Sequence, residues 1–492
     1  MISRLGSGGG ALVAVALAGV IAATLIANQP IRFPLDDAYI TIANAQQIVT
    51  GAVDSYGYTR PTGATSLVHM LLLVPLGLVM AWPAASLTLA MLAASAYVLG
   101  LYQALLTISG HRGVAILGSI AGFAGIKLWY QLMNGLETGF AMAAVIWTVY
   151  LAQFPDDPAR RRWLAGLIGV LPFIRPELAL LTAVLAIAAA ARLYHQPAQL
   201  AQLARLAALT LGVAALLAAL AWAATGELVP QTAGAKVAFF GDGGLSLPDR
   251  LLIVLLSVAT APLGWVLLGL AALPMVRDGW ALLAFVGAYL LASVLSLPSG
   301  LMHNEQRYLF IFVPLALAGW AALAARADVM RGRAPMIVSA GAALMIASFF
   351  LGGWSFYRDS LRITADQEQL AAWAKRNLPR DARVLIHDAG YFGWQTDFAL
   401  VDVVGLKSPD SITAHRRWTL PSAGKERGRA VDEIARKARV THAVILDRPF
   451  WGDIAGHLRK AGWQLDPLRA GPDDDYHVYR LTPPQQRAAR RE

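Results

Sequence analysis

The chain lacks cysteine altogether. Disulfides, thiolate metal sites and cysteine nucleophiles are therefore excluded. Charge is scarce as well: Asp, Glu, Lys and Arg make up 15% of the 492 residues, against about 25% in soluble domains. No G-x-G-x-x-G or Walker-type loop occurs, so nothing in the sequence cradles a nucleotide. No internal repeat is visible either. What fills the chain is apolar: 57% of residues are hydrophobic and mean hydropathy is +0.52, the composition of an integral membrane protein. Basic loops facing anionic lipid explain the net charge of +10 more simply than nucleic acid does, and no nucleic-acid partner is expected.

The charges are unevenly spread. Residues 1–357 carry 18 Lys and Arg with 13 Asp and Glu, whereas residues 358–492 carry 23 with 18. The reading is a membrane domain over 1–357, a soluble domain over 358–482 and a polar, disordered tail over 483–492. Apolar segments fall at Gly8–Ala27, Ala84–Ser109, Val114–Met133, Thr138–Phe154, Trp163–Phe173, Leu178–Arg192, Leu206–Thr225, Leu251–Pro274, Trp280–Leu297, Tyr308–Ala325 and Met336–Phe356. A further one, Ser66–Trp82, is assigned by parity. If it crosses, Arg112 and Arg160–Arg162 fall outside, against the positive-inside rule. If it lies along the outer surface or re-enters, about eleven spans remain. Inside there are then 11 basic and 4 acidic residues, and outside 7 and 9. Gly8–Ala27 is read as a retained first helix rather than a cleaved signal, with the N-terminus cytoplasmic and the soluble domain extracytoplasmic. This arrangement makes Trp163–Arg192 two short passes broken around Ile174-Arg175-Pro176-Glu177, which is tolerated where helices line a cavity.

Beyond Phe356 the pattern becomes α/β. Thr364-Ala365-Asp366-Gln367 has the form of a capping box before a helix to about Asn377. Strands are expected at Arg383–His387, Val440–Leu446 and Tyr476–Leu481, with helices at Val431–Ala438 and Asp453–Lys460.

The polar residues of the membrane domain gather at outer helix ends, where they could converge on one outward-facing cavity. They are Asp36-Asp37, Tyr58-Thr59, Glu137, Arg175 and Glu177, Lys236, and His303, Arg307 and Tyr308. Each also has a plainer explanation. Asp36 or Asp37 could cap the next helix, Glu137 could cap its own, and Arg175 could simply pair with Glu177. Lys236 could be a loop charge, and His303 and Arg307 interfacial anchors. Taken together, carboxylates opposite Arg, Lys and His suit a hydroxyl nucleophile and a phosphate leaving group. An outward-facing site has no nucleotide sugar available, so a lipid-phosphate-linked donor presented from the outer leaflet is the expected substrate. One Asp would take the acceptor proton while cations stabilise the departing phosphate. Direct attack implies inversion, although two carboxylates also permit a covalent route. The rival class is a transporter or flippase of a lipid-linked or anionic substrate.

The series Asp36-Asp37-Ala38-Tyr39-Ile40-Thr41, Gly57-Tyr58-Thr59, Gly135-Leu136-Glu137-Thr138, Arg175-Pro176-Glu177, Pro230 to Lys236, His303 to Tyr308 and Asp388-Ala389-Gly390 resembles the GT-C superfamily of polyprenyl-phosphate-sugar-dependent membrane glycosyltransferases. Within it, the series is most similar to the mycobacterial terminal arabinofuranosyltransferase-like branch. The resemblance implies a GT-C-like polytopic α-helical membrane protein with surface helices in the first extracytoplasmic loop and a C-terminal soluble α/β domain, in a bacterial inner membrane. It implies transfer of a sugar, arabinofuranose in that branch, to a glycan, lipid or protein acceptor in cell-envelope biogenesis. Asp36 ranks ahead of Asp37 as the catalytic base. The substrate-binding set is Tyr39, Tyr58, Thr59, Glu137, Arg175, Glu177, Lys236, His303, Arg307, Tyr308 and Asp388. Asp36, Asp37 and Glu137 are the candidate oxygen ligands for a divalent cation. Two departures stand out: Asp54 is out of step with the acidic residue usual before Gly-Tyr-Thr, and Arg60-Pro61 follows where an aromatic is common.

Overall fold

The computed structural model describes residues 9–125, 127–195, 200–261, 264–326, 334–446, 453–469 and 476–484. Residues 485–492 of the expected tail, and the basic residues Arg4, Arg331 and Arg333 used for the topology, lie outside them. The first helix, α1 (Gly9–Ala27), is apolar all round and largely exposed, as a lipid-facing helix must be. The chain then turns through a loop closed by Asn28, whose side chain bonds both the amide and the carbonyl of Arg32. It enters α2 (Asp37–Thr50), which stops at Gly51 in the left-handed conformation that glycine adopts freely. Next comes α3 (Leu67–Gly77), only 11 residues long. At 1.5 Å per residue it reaches about 16 Å, half of the roughly 30 Å hydrocarbon layer, and is too short to cross.

The membrane part is organised around α4 (Trp82–Ser109), which is buried along much of its length. It packs against α5 (Arg112–Ala124) and α7 (Thr138–Ala152). Close approach depends on small residues: a Cβ on Gly122 would lie 2.3 Å from the Leu101 side chain. The expected single segment Val114–Met133 is in fact two helices, α5 and α6 (Leu128–Met133). Lys127, at φ 55°, breaks them, and its ammonium pairs with the Glu305 carboxylate. Trp163–Arg192 does form two helices, α8 (Pro158–Ile174) and α9 (Ala179–His195). They fold back on each other about Arg175, and the Thr182 hydroxyl donates to the Ile168 carbonyl at 2.9 Å. There follow α10 (Leu200–Thr225), the short α11 (Thr232–Phe240) and α12 (Leu247–Ala259). Leu251–Pro274 is interrupted too: α12 ends at Ala259, and helical turns resume only at Gly264, past Pro262. Gly279–Ser296 and Pro298–Arg326 complete the set of five helical stretches, among the described residues, long and apolar enough to cross a membrane. The others are α1, α4 and α10.

The helix Ala334–Ser360 runs through a π-helical turn, Leu361–Ala365, straight into the helix Asp366–Asn377. No capping box forms. Thr364 instead donates its hydroxyl to the Phe33 carbonyl, and Gln367 bonds the Phe392 amide and the Tyr476 hydroxyl. The C-terminal sheet has five strands: β1 (Arg383–Ile386), β2 (Ala399–Asp402), β3 (His442–Leu446), β4 (Gln464–Arg469) and β5 (Tyr476–Thr482). Their order is β2-β1-β3-β5-β4: β1 pairs in parallel with β2 and β3, and β5 alone runs the other way, antiparallel to both β3 and β4. β2 and β4 escape the sequence reading because four- and six-residue strands with mixed burial carry little periodic signal. One face of the sheet, through Val384, Ile386 and Val478, shares a core with Ile40 of α2 and with Ala235 and Ala238 of α11. The edge strand β2 is covered by the first loop, where the Leu400 amide donates to the Ser55 carbonyl at 2.8 Å. The sheet is thus docked onto the two segments that carry Asp37 and Lys236.

Candidate active site

Successive residues at the start of a helix point in different directions, and Asp36 and Asp37 are separated by this alone. Asp36 turns to the C-terminal domain. Its carboxylate accepts from the Gly390 amide at 2.6 Å and the Tyr391 amide at 2.8 Å, both in the turn after β1. That approach needs glycine, since a Cβ at 390 would lie 2.0 Å from the Asp36 carbonyl oxygen. Burial pushes the Asp36 carboxyl up to about 8, and the nearby Asp388 carboxylate adds to the shift against the two amide bonds. Asp36 makes no capping bond to α2.

Asp37 faces a polar cleft lined by Ile40, Thr41, Gly63, Thr65, Leu136, Glu137, Thr232, Lys236, Arg307 and Leu406. Its Oδ2 lies 3.6 Å from Lys236 Nζ and 3.7 Å from Arg307 Nη2, and accepts from Asn304 Nδ2 at 3.3 Å. Burial alone would raise the Asp37 carboxyl, but Lys236 and Arg307 outweigh it and hold the group below its ordinary value. Lys236 and Arg307 also converge on the Tyr308 hydroxyl, at 3.5 and 3.3 Å. Arg175 lies against the Tyr308 ring, 4.7 Å from its centre. It pairs with Glu177 at 2.7 Å and approaches Glu137 at 3.7 Å. Arg175 and Arg307 are only 1% and 2% exposed, yet Nε and Nη1 of both guanidiniums lack a hydrogen-bond partner. Buried donors left open in this way suit an anion such as phosphate.

Asp37, Glu137, Arg175, Glu177, Lys236, Arg307 and Tyr308 are therefore brought together. His303 stands at the edge, with its ring against Phe240. Tyr39, Tyr58, Thr59 and Asp388 are not in the cleft. Tyr39 is buried between Phe33, Tyr391 and Trp394 and glues the first loop to the C-terminal domain. Tyr58 sits in a turn closed by Asp54, whose Oδ1 accepts from the Tyr56 and Tyr58 amides. Thr59 is an exposed residue of the same loop. Asp388 accepts from the Tyr476 hydroxyl and neighbours His387. Asp54, out of step in the sequence, pairs with the buried Lys407 at 2.8 Å and so fastens the loop to the C-terminal domain. Gly63, Thr65, Thr232 and Leu406 line the cleft without standing among the sequence candidates. Leu406 reaches the cleft only because the sheet docks, whereas Thr232 lies in the Pro230 to Lys236 run and was within reach of the reading.

The candidate cation ligands do not form a cage. Asp36 is engaged by backbone amides and faces away, and Asp37 and Glu137 lie against Lys236, Arg307 and Arg175. Among the described residues no group of three His, Asp or Glu converges as metal ligands would. A second, apolar cavity of about 290 Å³ adjoins the cleft, sharing Gly63 and Thr65 with it. Its walls include Leu67, Met70, Phe173, Pro176, Ala221 and Pro230.

A family described as a domain of unknown function (DUF8728) matches residues 356–479, about a quarter of the chain. No curated protein matches the sequence. Solved structures do. The crystal structure of ArnT from Cupriavidus metallidurans bound to undecaprenyl phosphate has 13% identity and a TM-score of 0.56, covering 96% of this chain and 98% of that one. The same protein in the apo state has 12% identity and a TM-score of 0.55, with the same coverage. The cryo-EM structure of the arabinofuranosyltransferase AftD from Mycobacteria has 18% identity and a TM-score of 0.48, over 95% of this chain and 40% of that one. The chain therefore shares the fold of ArnT over almost its whole length.

Proposed function

We propose that this protein is a multi-pass membrane glycosyltransferase that moves a sugar from a polyprenyl-phosphate donor to an acceptor hydroxyl. The observation that carries the reading is the cleft itself: an anionic Asp37 facing Lys236 and the buried Arg307, with Arg175 behind the Tyr308 ring and N–H donors of both arginines left open. Asp37 takes the proton from the acceptor hydroxyl as its oxygen bonds to the anomeric carbon. The bond between that carbon and the phosphate oxygen breaks, and its electron pair leaves with the polyprenyl phosphate. Lys236, Arg307 and Arg175 bind that growing charge. A carboxylate held below its ordinary pKa is a weak base, which fits proton transfer late in the reaction, once the acceptor oxygen has begun to bond. Direct displacement inverts the anomeric centre.

The GT-C-like fold and the undecaprenyl phosphate bound to ArnT support the choice of donor. The apolar cavity beside the cleft is suited to the first isoprene units of the lipid. Charge distribution along the sequence supports an extracytoplasmic site, an inner-membrane location and a cytoplasmic N-terminus. Arabinofuranose is the first sugar to test, on the strength of the motif resemblance, with a glycan, lipid or protein as acceptor. In this arrangement Asp36 holds the C-terminal domain in place and Asp37 acts as base, the reverse of the order the resemblance implies.

The test is transfer of radiolabel from a panel of polyprenyl-phosphate sugars by the purified protein in nanodiscs. Lys236→Ala and Arg307→Met are expected to raise the donor KM and to lower kcat about 10²-fold, as loss of a transition-state charge contact does. Unchanged kinetics in both variants would remove the basis for the phosphate site.

A further inference from the structure

Three consecutive residues beside the cleft, none of them glycine, adopt left-handed backbone conformations: Asn304 (φ 50°, ψ 51°), Glu305 (φ 59°, ψ 41°) and Gln306 (φ 57°, ψ 32°). L-residues resist this region individually, and a run of three persists only where the surroundings hold it. Glu305 pairs with Lys127, Gln306 Nε2 donates to the Ser257 carbonyl at 3.2 Å and to the Thr260 hydroxyl at 3.1 Å, and Gln131 grips the backbone. Gln131 Nε2 donates to the Asn304 carbonyl at 3.0 Å and reaches the Glu305 carbonyl at 3.4 Å. Gln131 Oε1 accepts from Asn134 Nδ2 at 3.0 Å, and Asn134 Oδ1 accepts from the Leu136 amide at 3.0 Å. Both side chains are completely buried. At its other end the turn aims Asn304 Nδ2 at the Asp37 carboxylate.

The direction of every bond in this chain is forced. The Leu136 amide can only donate, so Asn134 must present its oxygen to it and its nitrogen to Gln131. Gln131 must then present nitrogen to the two carbonyls, which can only accept. We propose that Gln131 and Asn134 are positioning residues that lock the left-handed turn and thereby hold Asn304 against the catalytic Asp37. This role rests on the reading of Asp37 as the base. It gives two fully buried amides, outside the cleft, a part in setting the orientation of its carboxylate.

The experiment compares kcat and donor KM for wild type, Asp37→Asn, Gln131→Met and Asn304→Ala, using whichever polyprenyl-phosphate sugar of the panel the wild type turns over. Gln131→Met keeps the volume and removes the grip. Its kcat is expected to fall about tenfold with donor KM within about twofold, because Asp37 loses its orientation while the phosphate contacts remain. Asn304→Ala keeps the grip but loses the contact, and is expected to match Gln131→Met. Should Gln131→Met fail to fold, Asn304→Ala decides. Full kcat in Gln131→Met or Asn304→Ala, or a fall in kcat matched by a rise in donor KM, overturns the positioning role while a dead Asp37→Asn leaves the glycosyl-transfer reading standing. An active Asp37→Asn, or a wild type inert with every donor, overturns both.

Discussion

At the scale of the residue, two adjacent aspartates divide into different jobs because one precedes the helix and the other begins it. The pair stands out in the sequence, but which of the two faces the cleft does not. The partners of Asp36 lie more than 350 residues away in the turn after β1, and no local pattern announces such a contact. Asp36 gives a pH prediction. Its folded-state pKa of about 8 lies above the ordinary value near 3.9, so folding favours the protonated form. The stabilisation is complete below about pH 4 and is lost as pH rises through 8. The melting temperature of the wild type is expected to fall between pH 6 and pH 9. In Asp36→Asn, which cannot ionise, it should start lower and fall less. A variant with the same pH slope as the wild type would show that Asp36 is not the group responsible.

At the scale of the element, the site is assembled from breaks in helices. Arg175 sits where α8 folds back into α9, Glu137 between α6 and α7, and Arg307 just after the left-handed turn. The broken Trp163–Arg192 segment was readable because Pro176 and two charges interrupt an apolar run. The breaks at Lys127 and Ala261 were less plain, because each has one signal only, a lone charge at Lys127 and a Pro one residue beyond Ala261, within an otherwise apolar run. Arg175→Met is expected to destabilise the fold by about 3 kcal/mol, the low end for a broken buried pair, since it removes the cation of the half-buried Glu177 and one of the two that face Glu137. Chemical denaturation in detergent measures this, and a change under 1 kcal/mol would mean that neither carboxylate depends on the arginine. Gly390→Ala places a methyl group against the backbone of Asp36. Overpacking of this kind costs about 1–3 kcal/mol. The expected result is faster proteolysis between the domains, with the C-terminal sheet itself still protected.

At the scale of the whole molecule, the C-terminal domain forms one wall of the cleft. Leu406 lines it, and the sheet packs on both α2 and α11. Arg32 and Glu368 reinforce the contact with a bidentate pair, its shortest bond 2.7 Å. Composition was enough to separate an apolar part from a charged α/β part, and strands β1, β3 and β5 were readable from β-branched runs. How the two parts meet was not, because the interface is made of single residues such as Tyr39, Asp54 and Lys407 scattered along the chain. Topology can be tested directly, since the chain has no native cysteine. Val53 is 60% exposed in the first loop, and Arg162 is exposed at the start of α8. A membrane-impermeant maleimide applied to intact cells is expected to label Val53→Cys but not Arg162→Cys, and the opposite pattern would invert the assigned sidedness.

The central claim, that Asp37 is the base and Asp36 the clasp, is tested most directly by single-turnover sugar transfer from a polyprenyl-phosphate donor in Asp37→Asn and Asp36→Asn. The account predicts that Asp37→Asn slows the chemical step about 10²- to 10⁴-fold, the usual contribution of a general base, with a melting temperature close to wild type. Asp36→Asn is expected to melt earlier while keeping its single-turnover rate within about tenfold at a temperature where it is folded. The reverse result, full chemistry in Asp37→Asn and none in a folded Asp36→Asn, would contradict it.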